Sequence, residues 1–110
     1  MSNPRYRNGH RRREVQAYYR ARRADCYICG RPIDYGLRPP DPWSFVIDET
    51  VSIANGGRVC RANSGPAHRW CNAVKGTHTL EWARAEVKRR LAGGKPAAAS
   101  KPRDFEAADW

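Results

Sequence analysis

The chain has no long apolar run. Nothing in it is long enough to span a membrane, and Met1-Ser2-Asn3-Pro4-Arg5 has no apolar signal segment, so an intracellular, cytoplasmic protein is expected. Acidic residues are also scarce. There are 11 Asp plus Glu against 21 Lys plus Arg in 110 residues, a formal charge of +10. That balance argues for a polyanionic partner, most simply nucleic acid. Room for a core is short as well. Once loose ends are set aside, less than one average domain remains, and a domain of that size commonly needs a staple. Four cysteines are available for one. In a secreted protein they would pair as disulfides; in an intracellular one they more often bind metal.

The cysteines are placed for metal. Cys26-Tyr27-Ile28-Cys29-Gly30 reads as a zinc knuckle: two thiolates two residues apart reach one ion from a tight turn, and Gly30 tolerates a positive φ there. A second pair, His68 and Cys71, lies in His68-Arg69-Trp70-Cys71-Asn72-Ala73-Val74-Lys75-Gly76. On a helix, positions 68, 71, 72 and 75 share one face, which places Asn72 and Lys75 beside the metal pair. Cys26, Cys29, His68 and Cys71 would make a four-coordinate structural zinc site. Alternatively Cys60 completes an all-cysteine site and frees His68; otherwise Cys60 is a small apolar filler.

In chain order, 1–8 reads as a flexible basic arm and about His10 to Ala24 as a helix, with Val15, Tyr18, Tyr19 and Arg22 as a partial stripe. Arg11, Arg12, Arg13, Arg20, Arg22 and Arg23 are its candidate phosphate contacts, and Lys75 is another. A Pro-rich connector follows the knuckle. Trp43–Asp48 has strand character, Thr50–Ala54 continues extended, and Asn55-Gly56-Gly57 signals a turn. Arg58–Asn63 reads as a short return segment. Ser64-Gly65-Pro66 then launches the helix carrying His68 through Lys75, with Gly76 at its end. A further helix is expected from about Leu80 to Leu91, capped by Thr79, with Leu80, Ala83, Val87 and Leu91 as its apolar stripe and Trp70 and Trp82 as neighbours. From Gly93 the chain reads as linker. It closes on an acidic stretch with two aromatics, Asp104–Trp110, read as a mobile tail; docking on a partner or on the basic body is the alternative. The organisation is thus 1–24 basic arm and Arg-rich helix, 25–92 zinc-containing domain, and 93–110 flexible tail.

A Cys-x-x-Cys pair, a strand ending in Asp48-Glu49, a Gly-Gly turn, Asn63, then Ala67-His68-x-x-Cys71-Asn72-x-x-Lys75-Gly76 together resemble the HNH endonuclease family, particularly its small zinc-containing phage members. The match runs roughly from Cys26 to Gly76. The resemblance implies an α+β fold, a zinc-stapled ββα-metal (His-Me finger) domain flanked by helices. It implies that Cys26, Cys29, His68 and Cys71 hold structural zinc. Asp48 and Asn72 would bind a catalytic divalent ion such as Mg²⁺ or Mn²⁺, and Asn63 would order the loop between the strands. Glu49 stands where the family has its general-base His. A carboxylate of ordinary pKa about 4.3 is a weaker base than imidazole at about 6.5. Glu49 therefore reads as the base, as an extra metal ligand, or as a sign of weak catalysis. The implied function is metal-dependent hydrolysis of DNA. The alternative is a catalytically weak or inactive zinc-stapled DNA-binding or packaging module. Implied partners are DNA and a phage terminase, with no membrane, and the number of subunits is left open between monomer and dimer.

Overall fold

The computed structural model describes residues 4–94. The expected tail lies outside these residues from position 95 onward. Helix α1 runs Pro4–Arg22, so the segment expected as a loose arm is helical from Pro4. Pro suits a first helical turn, and the Asn8-Gly9 pair costs the helix only about 1 kcal/mol at the glycine. The helix stops short of Ala24 because Arg23 turns left-handed, at φ 49°. Of the expected stripe only Val15 is fully buried. Tyr19 anchors the helix by donating to the Ser64 carbonyl at 3.1 Å.

The knuckle follows. Gly30 takes φ 80°, and its N–H donates to the Cys26 carbonyl at 2.8 Å. Strand β1 is Phe45–Glu49 and strand β2 is Ser64–His68. They pair antiparallel, with Phe45 opposite His68, Ile47 opposite Pro66 and Asp48 opposite Gly65. Two expectations fail here. Thr50–Ala54 does not continue extended; the loop bends and closes in a 3-10 turn at Ile53–Asn55. Arg58–Asn63 is not the return strand either; it ends in a second 3-10 turn at Arg61–Asn63. The Asn63 side chain explains both. Its Oδ1 accepts from Val51 N, and its Nδ2 donates to the Val51 and Arg58 carbonyls, each at 2.9 Å. These bonds stand in for a ladder across the loop.

The return strand is the segment expected to begin a helix. Ser64–His68 stays extended because Pro66 sits in a two-stranded sheet, where an imino residue costs little, and its carbonyl accepts from Tyr27 N at 2.8 Å. Helix α2 is Arg69–Lys75, and His68 is its N-cap residue rather than a helical one. His68 makes no side-chain cap. The first donors of α2 go instead to the preceding loop: Arg69 N to Ser44 O at 2.9 Å and Trp70 N to Pro42 O at 2.7 Å. Helix α3, Leu80–Ala92, is capped by Thr79 Oγ1, which accepts from Trp82 N at 3.1 Å.

The described residues form a small α+β fold of three α-helices and a two-stranded sheet. Its core gathers Ile28, Ile33, Trp43, Phe45, Ala67, Trp70, Ala83 and Val87 around Cys26 and Cys71. In α3, Ala83 and Val87 are fully buried, while Leu80 and Leu91 pack at the edge. Trp82 is not a core neighbour; it is exposed and stacks on His78 at 3.8 Å between centroids. No helix among the described residues is long and apolar enough to cross a membrane.

Candidate metal centre and adjoining cleft

Three elements converge at the centre. The knuckle supplies Cys26 and Cys29, the last residue of β2 supplies His68, and the first turn of α2 supplies Cys71. Their donor atoms all lie within 4.8 Å of one another. His68 Nδ1 is 3.4 Å from Cys29 Sγ and 3.9 Å from Cys71 Sγ. A tetrahedral zinc with Zn–S near 2.3 Å has ligand–ligand edges of about 3.8 Å, so the four donors fit such an ion. His68 Nε2 donates to the Pro32 carbonyl at 3.1 Å, the outer contact that fixes a ligating imidazole's tautomer. Charge points the same way. Hydrogen bonds from Cys29 and Cys71 hold the Cys26 thiol far below the ordinary range, while hydrogen bonds to Cys26 and Cys29 push Cys71 up. Unaided, the cluster favours one thiolate at the expense of the next; a divalent cation removes that conflict. The cluster can therefore hold a metal such as zinc. Cys60 is no part of it, and lines a separate cleft with Tyr18 and Arg61.

Asp48 and Glu49 are adjacent on β1 and meet different surroundings. Asp48 is buried. Tyr27 Oη donates to its Oδ2, and Lys75 Nζ donates to its Oδ1 at 3.3 Å. Burial raises its carboxyl above the ordinary range, partly opposed by Tyr27 and Lys75. Tyr27 reaches Asp48 across Gly65, where a Cβ would overlap the phenol ring. Lys75 is wholly buried and also donates to the Glu49 carbonyl at 3.0 Å. It is therefore not the surface phosphate contact expected from its helical face.

Glu49 and Asn72 line one open cleft of about 460 Å³, together with Arg12, Gln16, Arg20 and Arg69. Asp48 does not line it. The structure thus brings Asn72 together with Glu49 and gives the Asp48 carboxylate to Lys75 and Tyr27. Arg12 Nη2 lies 3.3 Å from Glu49 Oε1. Arg20 Nη1 donates to the Tyr35 carbonyl at 2.9 Å, which steadies the guanidinium beside the cleft.

The expected arginines do not form one face. Arg12 and Arg20, with Gln16 between them, make an i, i+4, i+8 stripe on the cleft side. Arg11 lines the separate cleft at Cys60. Arg22 and Arg61 flank the Tyr18 ring at 3.6 and 4.2 Å. Arg13 and Arg23 are exposed.

Sequence reasoning missed Tyr27, Gly65 and Arg69. Tyr27 and Arg69 sit inside the metal-pair motifs and read there as spacers. Gly65 carried a signal, a glycine next to a proline before the His, which was absorbed into a helix start. No protein family, curated protein or solved structure matches this chain.

Proposed function

We propose that the chain is a metal-dependent DNA endonuclease of the HNH type, its β1–β2–α2 unit a ββα-metal core held by structural zinc. One observation carries the reading: a carboxylate, Glu49, and a carboxamide, Asn72, border the same open cleft, which is edged by Arg12, Arg20 and Arg69. Arginines of this kind hold a phosphate backbone. The Asn72 amide oxygen and one Glu49 oxygen would hold Mg²⁺ or Mn²⁺, which leaves the second Glu49 oxygen free to accept a proton. When bound, such an ion offsets charge developing on the phosphoryl and leaving oxygens. Glu49 takes a proton from water as the water oxygen bonds to phosphorus and the bond from phosphorus to the leaving sugar oxygen breaks; that oxygen takes a proton from solvent and leaves as the hydroxyl. Asn72 orients the phosphate through its amide. Asp48, engaged by Lys75, acts as a positioning residue: it holds the ammonium that grips the Glu49 backbone carbonyl.

A second reading is a zinc-stapled DNA-binding module that does not cleave. The Arg12–Glu49 pair favours it, because the pair occupies the cleft's carboxylate. Supercoiled plasmid incubated with Mg²⁺, Mn²⁺ or EDTA separates the two, with zinc content measured in each sample. Nicking that needs the added ion, and is lost in Glu49→Gln and Asn72→Ala while DNA binding persists, supports the nuclease. Binding without cleavage under every ion supports the module. Glu49→His probes the base position, where retained or raised activity is expected.

A further inference from the structure

A groove of about 760 Å³ lies elsewhere, between the Cys26–Gly30 turn and α3. Ile28, Val87 and Leu91 give it an apolar floor, and Arg31, Arg84 and Lys88 stand around it. Its size is in the range that accepts an aromatic group. Arg84 Nε donates to the Tyr27 carbonyl at 2.9 Å, which holds that guanidinium in place. Among the described residues no carboxylate lines this groove, whereas Glu49 lines the Asn72 cleft and Glu14 lines the Cys60 cleft. Nearby Glu86 is taken by Arg89 and Arg90, at 2.6 and 2.7 Å, rather than by the rim cations. The groove therefore fits a segment carrying both carboxylates and aromatics.

Beyond the described residues lies one such segment. Asp104-Phe105-Glu106-Ala107-Ala108-Asp109-Trp110 has three carboxylates and two large aromatics. The groove ends at Leu91 and Ala92, just before Gly94, where the described chain stops. The nine residues from Lys95 to Arg103 can span about 30 Å when extended, ample to fold back. Tethering also gives a millimolar-order effective concentration, so a weak contact suffices. We propose that Asp104–Trp110 docks in this groove, with Phe105 or Trp110 on the apolar floor and the carboxylates against Arg31, Arg84 and Lys88.

The test uses the full zinc-loaded chain in solution NMR. Expected are NOEs from the Trp110 or Phe105 ring to the Ile28 and Leu91 methyls. A Phe105→Ala/Trp110→Ala variant should shift Ile28, Val87 and Leu91 resonances and leave Gln16 and Val46 unmoved. Lys88→Glu should weaken the same NOEs with the fold intact. Unchanged groove resonances in the double variant overturn the proposal. So do shifts centred on the Glu49–Asn72 cleft, or NOEs that fade on dilution, which would assign the groove to a second copy's tail.

Discussion

Asn63 closes the β1–β2 loop with one amide, and its removal should be felt locally. In Asn63→Ala, Val51 N–H loses its acceptor, and hydrogen exchange there should quicken by the opening of about 1–2 kcal/mol of local structure. Exchange in α3, around Val87, should not change. Equal loss of protection at both places would show that Asn63 supports the whole fold instead. Gly65 makes a different demand. A Cβ there overlaps the Tyr27 ring, so Gly65→Ala must displace the phenol and break its hydrogen bond to Asp48. Overpacking of this kind costs about 1–3 kcal/mol, read as a lower unfolding midpoint. Gly65→Ala combined with Tyr27→Ala should recover the steric part, and a cost unchanged by the second substitution would remove Tyr27 as the cause. These residues differ in legibility. Asn63 was singled out because the resemblance implies that it orders the loop, and its amide does bridge that loop. Gly65 was not, since what it makes room for lies 38 positions earlier in the chain.

Among the elements, β1 and α2 are joined by the Asp48–Lys75 pair, with side-chain exposures of 6% and 0%. Leaving one member of a buried pair alone costs about 3–5 kcal/mol, because an uncompensated charge stays behind. Lys75→Met and Asp48→Asn should each be strongly destabilising, and the double variant should lie closer to the parent than either. Additive losses in urea unfolding would dissolve the coupling. The pair also sets a pH dependence. Burial raises the Asp48 carboxyl, so the folded chain holds this proton to a higher pH than the unfolded chain does. Its contribution is present in full below the unfolded value, near 3.9, and is lost as pH rises through the folded one. The carbon-13 shift of the Asp48 carboxyl should titrate above that range, and Tyr27→Phe should move it higher by deleting a bond that favours the ionised form. A midpoint at or below 3.9 would reverse the sign. At this scale the sequence was partly legible. Strand β1 and helix α3 were placed within a residue or two by aromatic and β-branched content and by a Thr cap. β2 was misread as a helix start because Gly-Pro resembles one. What decides it is cross-strand pairing to Phe45–Glu49 and the Tyr27–Pro66 bond, neither of which is local in sequence.

For the whole molecule, the zinc reading and the nucleic-acid reading make separate demands. The cluster of Cys26, Cys29, His68 and Cys71 joins the knuckle, β2 and α2, so on the zinc proposal the ion should be present at one per chain, and its removal should lower the thermal midpoint of the whole domain rather than loosen one loop. Cys71→Ser should do the same; a cooperative melt unaffected by metal loss would reduce the cluster to four packed side chains. The charge of +10 is less informative by itself, because it does not say which cations meet phosphate. The arrangement of side chains does. If Arg12, Arg20 and Arg69 are the contacts, three phosphates are neutralised, and log K should fall with log salt at a slope of about −2.7. If instead the six expected contacts Arg11, Arg12, Arg13, Arg20, Arg22 and Arg23 all joined in, the slope would be about −5.4 even without Arg69. Binding measured on duplex DNA across a salt series tells these apart. Substituting Arg20 by Gln should flatten the slope by about 0.9, while Arg13→Gln and Arg23→Gln should leave it unchanged. The contrast is informative because Arg13 and Arg20 contribute identically to net charge and differ only in whether the fold sets them beside Glu49 and Asn72. A slope that responds equally to both would mean the helix binds as a diffuse basic rod, and the cleft would lose its claim to the phosphate.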